Sequence, residues 1–290
     1  MVAARGPARS VAALQEEAIG LIGAGALAGA LVRGLVAADV DPGRLWVCNR
    51  GGQGLEHYRR LGAHATRSKQ EVAAAAGHLL LLVKPKDAPQ ALAELAPHFH
   101  ADHRLLSCVA GLPTAYLEQA LGPGARVLRA MPNVAAEVRA SATGLTAGRH
   151  ALPSDVDAAH QLLEAVGTVV VVPESRLDAV TAVAGSGPAY VFLLMEAMVE
   201  AARTLDLPPG TAEQLVRQTA LGAAILADRA GRTPGALRES VTSPGGTTEA
   251  ALAVLRDAGF TGLVGDALRR AAVRSAELGR VWAVPGRAAP

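Results

Sequence analysis

The chain has 290 residues, half of them hydrophobic, with 28 basic against 26 acidic side chains and a net charge of +2. Such a length predicts two domains with ample core, and the near balance of charge, without a long run of one sign, argues against nucleic-acid or membrane partners and for a small metabolite. Gly, Arg or Asp interrupts every apolar stretch before the roughly 18 residues that span a bilayer, so a soluble, cytoplasmic protein is expected.

Residues 1–17 read as a loose N-terminal extension, with Arg5 and Arg9 but neither an apolar stretch nor a cleavage site. From there short apolar runs alternate with helical stretches: Ile19 to Ile22, Leu45 to Cys48, Leu79 to Val83, Leu105 to Val109 and Val127 to Met131, with a last run from Gly167 to Val172. This rhythm predicts βαβ units, and hence a doubly wound, mostly parallel Rossmann-like sheet over residues 18–177. Cys48 and Cys108 each end an apolar run, where a thiol packs as a small hydrophobe, and no disulfide is expected.

After about residue 178 the strand signal stops, and residues 178–290 are expected to be all helix. Pro188 to Leu205, behind Ser186 and Gly187 as caps, shows only a narrow polar stripe of Glu196, Glu200 and Arg203, which predicts a mostly buried helix. Thr211-Ala212-Glu213-Gln214 fits a capping box, Thr233-Pro234 a further start, and Thr247-Thr248-Glu249 the start of a helix that stops near Gly259. Gly262 to Leu278 supplies the last. His98, His100 and His103 fall in a polar stretch and are expected as exposed loop histidines, with no metal site.

Gly23-Ala24-Gly25-Ala26-Leu27-Ala28 matches G-x-G-x-x-A directly after a predicted strand and directly before an amphipathic segment. Glycine at 23 permits the tight turn, glycine at 25 lets backbone approach a pyrophosphate, and free N–H groups at the helix start face the anion. The second strand leads into Asn49-Arg50, with no carboxylate until Glu56 to bind the free ribose hydroxyls of NAD. A neutral donor and a guanidinium suit a 2'-phosphate, although a solvated loop arginine fits as well. NADPH is the expected cofactor, with NADH a weaker one.

Leu82-Val83-Lys84-Pro85, Arg129-Ala130-Met131-Pro132-Asn133, Ala184-Gly185-Ser186-Gly187-Pro188-Ala189-Tyr190 and Val241-Thr242-Ser243-Pro244-Gly245-Gly246-Thr247-Thr248 follow in this order. Together they resemble the Δ1-pyrroline-5-carboxylate reductase family, which makes proline, from about Ile19 to Leu278. The resemblance implies that Ile22 to Leu27 bind the pyrophosphate and Asn49 and Arg50 the adenosine ribose phosphate. Val83, Lys84 and Pro85 would pass near the nicotinamide, and Met131, Pro132 and Asn133 would form part of the crossover toward the helical domain.

The loop from Ser243 through Gly245, Gly246, Thr247 and Thr248 would receive the substrate, with Ser243 and Thr248 as its catalytic pair. The helical domain would interleave with that of a second subunit, giving a homodimer or a larger homo-oligomer. Physically, a Gly-Gly pair before a threonine-capped helix exposes N–H groups that can hold a ring carboxylate, and Thr248 can reach the ring nitrogen. The same residues also suit an ordinary helix start.

The chain departs from the family pattern at Ala26-Leu27, where Asn-Met is common, at Val134-Ala135, where Thr-Pro is common, and at Ser68, where an adenosine-contacting Asn is frequent. Two other readings are a reductase of another cyclic imine and a non-catalytic NADPH-binding regulatory protein; retention of Ser243 and Thr248 argues against the latter. A β-hydroxyacid dehydrogenase would need a lysine in the second half, and none follows Lys86.

Overall fold

Strands covered on both faces carry apolar residues at nearly every position, and the sheet of this protein is built from such strands. The computed structural model describes residues 17–283; apart from Glu17, the expected extension lies outside them. In chain order come β1 (Ile19–Ile22), α1 (Ala26–Val36), β2 (Leu45–Cys48), α2 (Leu55–Arg60), β3 (His64–Thr66), α3 (Lys69–Ala75), β4 (His78–Leu81), α4 (Ala88–Leu95), β5 (Arg104–Ser107), α5 (Thr114–Leu121), β6 (Arg126–Met131), β7 (Ser141–Ala147), α6 (Pro153–Glu164), β8 (Gly167–Val171) and α7 (Leu177–Val180).

The eight strands lie in the order β3-β2-β1-β4-β5-β6-β7-β8, and every neighbouring pair is parallel except β6 with β7. This is the doubly wound, mostly parallel sheet expected. Alternate residues face alternate sides. Leu21, Val47, Leu80 and Leu106 pack with Leu31 of α1 and Leu162 of α6. Leu79, Leu81, Leu105 and Val127 pack with Val72, Leu92 and Leu117 of α3, α4 and α5. β3 and β7 had no counterpart among the expected strands.

Chain contacts divide the described residues into two units, one reaching Ser186 and resuming at Ala271, the other Gly187–Arg270. The first therefore continues past the expected seam at 177/178 and takes back the end of the last helix. The second is helical throughout: α8 (Gly187–Thr204), α9 (Pro209–Arg229), α10 (Pro234–Ser240), α11 (Thr247–Asp257) and the first half of α12 (Phe260–Arg280).

Three local expectations are corrected. No free cap at Ser186 or Gly187 starts α8, because α7 runs on through a π-helical turn, Thr181–Gly185, whose widened register lets the Ser186 N–H bond Thr181 O at 2.8 Å. α9 begins at Pro209 behind Pro208 rather than at a Thr211 box, since proline in the first turn is already set for helix. And α8 is not mostly buried: Phe192 and Leu193 are 60% and 65% exposed.

The reason is that α8 is covered on neither side within the chain: its polar stripe, Glu196, Glu200 and Arg203, is exposed as well. These three line an open groove with Glu213 and Arg217 of α9, and the apolar side of α8 has no cover from its own chain. The helical path Glu174–Thr204 contains an 18-residue stretch of mean hydropathy 1.4, long and apolar enough to cross a membrane by length and composition alone. No unbroken apolar run marks it in the sequence, because isolated charged residues and glycines interrupt a stretch whose mean is nonetheless apolar.

Candidate functional site

After β3 the chain returns to the other side of β1, so β1 and β4 are neighbours that lead to opposite halves of the sheet. Ligands of open α/β sheets bind beyond the carboxyl ends of strands at such a switch point. The turn after β1 is built for it. Gly23 has φ +120, and its N–H bonds Cys48 O at 2.8 Å; a Cβ there would lie 2.7 Å from Leu82 O.

Gly25 caps α1 with its Cβ direction facing open space, and the first intrahelical bond is Gly29 N–H to Gly25 O at 3.0 Å. The preceding N–H groups of α1 have no intrahelical acceptor. The cradle thus fits a pyrophosphate: backbone donors converge and no side chain fills the space. Ala26 is exposed at the first helical position, whereas Leu27 packs against the core.

A cleft of about 190 Å³ opens beside this turn, lined by Ile22, Gly23, Cys48, Asn49, Arg50 and Val83, and also by Lys69, Asp87 and Ala91. The expected cofactor residues at the ends of β1, β2 and β4 are therefore together. Asn49 Nδ2 donates to Gln53 O at 2.7 Å, shaping the loop after β2. Arg50 Nη1 donates to Gln90 Oε1, and Nη2 lies 3.8 Å from Asp87 Oδ1. Lys84 is exposed and precedes a 3-10 turn, Pro85–Asp87. Ser68 caps α3, its Oγ accepting from the Glu71 N–H at 3.2 Å.

Sequence reasoning missed Lys69 and Asp87. Lys69 could have been noticed as one of only three lysines in an arginine-rich chain. Asp87 gave no signal, because its approach to Arg50 depends on the β4–α4 turn folding back over the end of β2.

The segment after β6 differs from the expected crossover. Val134–Val138 forms a 3-10 turn and β7 returns antiparallel into the sheet. Within the same unit, Asn133 Nδ2 donates to Ala184 O at 3.0 Å in the π-helical turn, while its Oδ1 accepts from the Ala135 N–H. Met131 packs beside Gly185, Pro132 is buried, and Val134 is exposed.

One further expectation meets a different environment. His103 is buried, with Nε2 2.8 Å from Ala73 O, and burial lowers its pKa; it anchors the loop before β5 rather than standing exposed. Both cysteines are free. Burial raises the Cys48 thiol and pushes that of Cys108 up to about 12.

In the second unit, Gly246 caps α11 and Gly245 takes the left-handed φ of +69. Gly246 N–H bonds Ser243 O at 3.0 Å, closing the turn over Ser243, and the Gly245 N–H donates to Glu249 Oε2 at 2.7 Å. Thr247 opens the helix, with Thr248 next to it and half-buried. The loop is a tight turn at a helix start, and its Gly245 N–H is held by the Glu249 carboxylate of the same chain.

Residues 174–278 match the family described as pyrroline-5-carboxylate reductase dimerisation, and residues 18–111 match the family of coenzyme F420-dependent NADP oxidoreductases. Pyrroline-5-carboxylate reductase 2 of Bacillus subtilis is 37% identical over 90% of this chain and 94% of its own. The Pseudomonas aeruginosa pyrroline-5-carboxylate reductase is 42% identical over 90% and 96%. A solved pyrroline-5-carboxylate reductase from Coxiella burnetii is 39% identical, covers 90% of this chain and 98% of its own, and superposes with a TM-score of 0.87.

The chain belongs to the pyrroline-5-carboxylate reductase family. As a member of that family it is an NAD(P)H-using oxidoreductase that assembles with copies of itself. The exposed apolar side of α8 lies inside the segment matched to reductase dimerisation, which accounts for an apolar helix that its own chain leaves open.

Proposed function

We propose that this chain reduces Δ1-pyrroline-5-carboxylate to L-proline with NADPH, the last step of proline synthesis. Support comes above all from one chain carrying both the cradle at Gly23 and Gly25 and the Ser243–Gly246 turn that opens α11. When bound, the dinucleotide supplies the hydride that reaches the C=N carbon.

The chain's own residues bind and orient. Ile22 to Leu27 hold the pyrophosphate, and Asn49 and Arg50 hold the phosphorylated ribose, so NADPH is preferred over NADH. Val83, Lys84 and Pro85, with Met131, Pro132 and Asn133, flank the nicotinamide side. Ser243, Gly245, Gly246 and Thr247 receive the substrate carboxylate, and Thr248 orients the imine nitrogen. Aligning two reactants in this way supplies several kcal/mol, roughly, of the rate enhancement. The working form is a homodimer whose helical units interleave, or a larger assembly of such dimers, and the protein acts in the cytoplasm on a small molecule, with neither nucleic acid nor membrane as a partner.

The test is consumption of NADPH by purified protein supplied with pyrroline-5-carboxylate. Thr248→Ala is expected to lower kcat/KM about ten- to a hundredfold, the loss of one aligned hydrogen bond, while the Kd for NADPH stays unchanged. No turnover with this substrate sinks the assignment, and turnover only with a different cyclic imine moves it to that compound.

A further inference from the structure

Asp87, Gln90, Ala91 and Glu94 follow one another at spacings of three, one and three, which puts them on one face of α4. Asp87 and Ala91 from that face line the cofactor cleft. Asp87 stands at the N-cap of α4, yet its carboxylate caps no N–H of that helix; it lies 3.8 Å from Arg50 Nη2. Gln90 accepts from Arg50 Nη1, and Glu94 stands one turn further along the same face. Glu94 Oε2 in turn accepts from Lys69 Nζ at 2.5 Å. Lys69 is buried, opens α3 and lines the same cleft as Arg50. Two cations and two carboxylates thus form one row along this face, Lys69–Glu94 at one end and Gln90–Arg50–Asp87 at the other.

We infer that this row sets the cofactor preference: Lys69 is a second cation of the subsite for the 2'-phosphate of the adenosine ribose, and Asp87 is the counter-charge that Arg50 leaves when that phosphate arrives. The inference rests on the proposed role of Asn49 and Arg50 at the phosphate end of the cleft. An exposed ion pair at 3.8 Å is weak, whereas a phosphate monoester carries nearly two charges and meets a guanidinium bidentately, so Arg50 exchanges partners. Lys69 stays with Glu94, whose short hydrogen bond to the buried lysine fixes where its charge sits. Asp87 remains beside the phosphate and opposes it. A dinucleotide without the 2'-phosphate leaves the row intact and does not sense its charges.

Calorimetric Kd values for NADP+ and NAD+ on the full-length protein test this. Asp87→Asn is expected to raise the preference for NADP+ about threefold, and Lys69→Gln to lower it about fivefold, with the Kd for NAD+ unmoved in both. In an Arg50→Gln background the effect of Asp87→Asn should shrink, because Arg50 is the group that Asp87 restrains. An unchanged preference in Asp87→Asn, or an equal shift for both dinucleotides, overturns the inference; Asp87 is partly exposed, so this variant decides even if Lys69→Gln does not fold. Wild-type protein that binds NAD+ as tightly as NADP+ overturns instead the underlying assignment of Arg50.

Discussion

The Glu249 carboxylate accepts a hydrogen bond from the Gly245 N–H at 2.7 Å, so the loop proposed to receive the substrate's carboxylate is already held by a carboxylate of its own. Both anions seek the same backbone donors at the start of α11, and only one can have the Gly245 N–H. Glu249→Gln keeps an acceptor but removes the charge, and neutral acceptors bind N–H groups about half as strongly. The KM for pyrroline-5-carboxylate is therefore expected to fall about threefold, with the KM for NADPH unmoved. A rise in the substrate KM would mean that Glu249 shapes the turn and does not compete for it.

Gly23 and Gly25 are glycines for different reasons, and alanine at each separates them. At Gly23 a Cβ would lie 2.7 Å from Leu82 O at a φ of +120, so Gly23→Ala should destabilise the fold by about 1–3 kcal/mol, seen as a lower Tm. At Gly25 a Cβ meets nothing within 4 Å. Gly25→Ala should keep the Tm and raise the Kd for NADPH about tenfold or more, because the methyl group takes the space proposed for the pyrophosphate. A Gly25→Ala protein that binds NADPH normally would move the pyrophosphate away from this turn.

The fold was legible where burial on both faces forced unbroken apolar runs, as in Leu45–Cys48 and from Leu79 to Leu81. It was illegible in β7, whose Ser141, Thr143 and Thr146 are buried; the Ser141 and Thr143 hydroxyls satisfy each other at 3.1 Å, so the strand carries no apolar signature. β3 is too short, at three residues, to show a period. For the candidate site, the glycine turn and Asn49-Arg50 were readable because their spacing in the chain is their spacing in space. Lys69 and Asp87 were not, since the loops that bring them to Arg50 come from separate βα units. The apolar side of α8 was legible as apolar, but a helix written for burial by another chain looks the same in sequence as one buried by its own.

His78 gives the stability a pH dependence. Arg104 Nε donates to its Nδ1 at 3.0 Å, and Nε2 lies 3.0 Å from Glu17 Oε2, the pattern of a neutral ring protonated at Nε2. Burial lowers its pKa to about 4; the nearby Asp155 works against this, while Arg126 and Arg44 add to it. Between pH 6.5 and 4 the unfolded chain binds a proton that the folded one refuses, so this contribution is complete above pH 6.5 and lost as pH falls toward 4. It amounts to about 3 kcal/mol. Unfolding of the wild type should become steeply easier over that window, and His78→Gln, which cannot titrate, should flatten the slope. Equal slopes for both proteins would remove His78 as the cause.

Leu193 and Phe192 test how copies of this chain meet. Each is more than half exposed in the single chain, and burying one such side chain contributes roughly 1.5–3 kcal/mol, counted twice in a symmetric pair. Placing charge there reverses the sign, because a carboxylate buried without a partner costs several kcal/mol, roughly. Phe192→Glu combined with Leu193→Glu should therefore give particles of single-chain mass by light scattering at micromolar concentration. Turnover should fall with dissociation if the helical units interleave around the active site. A dimer that survives both changes places its interface on another face, such as that of Leu263 and Val264 on α12, which are likewise exposed.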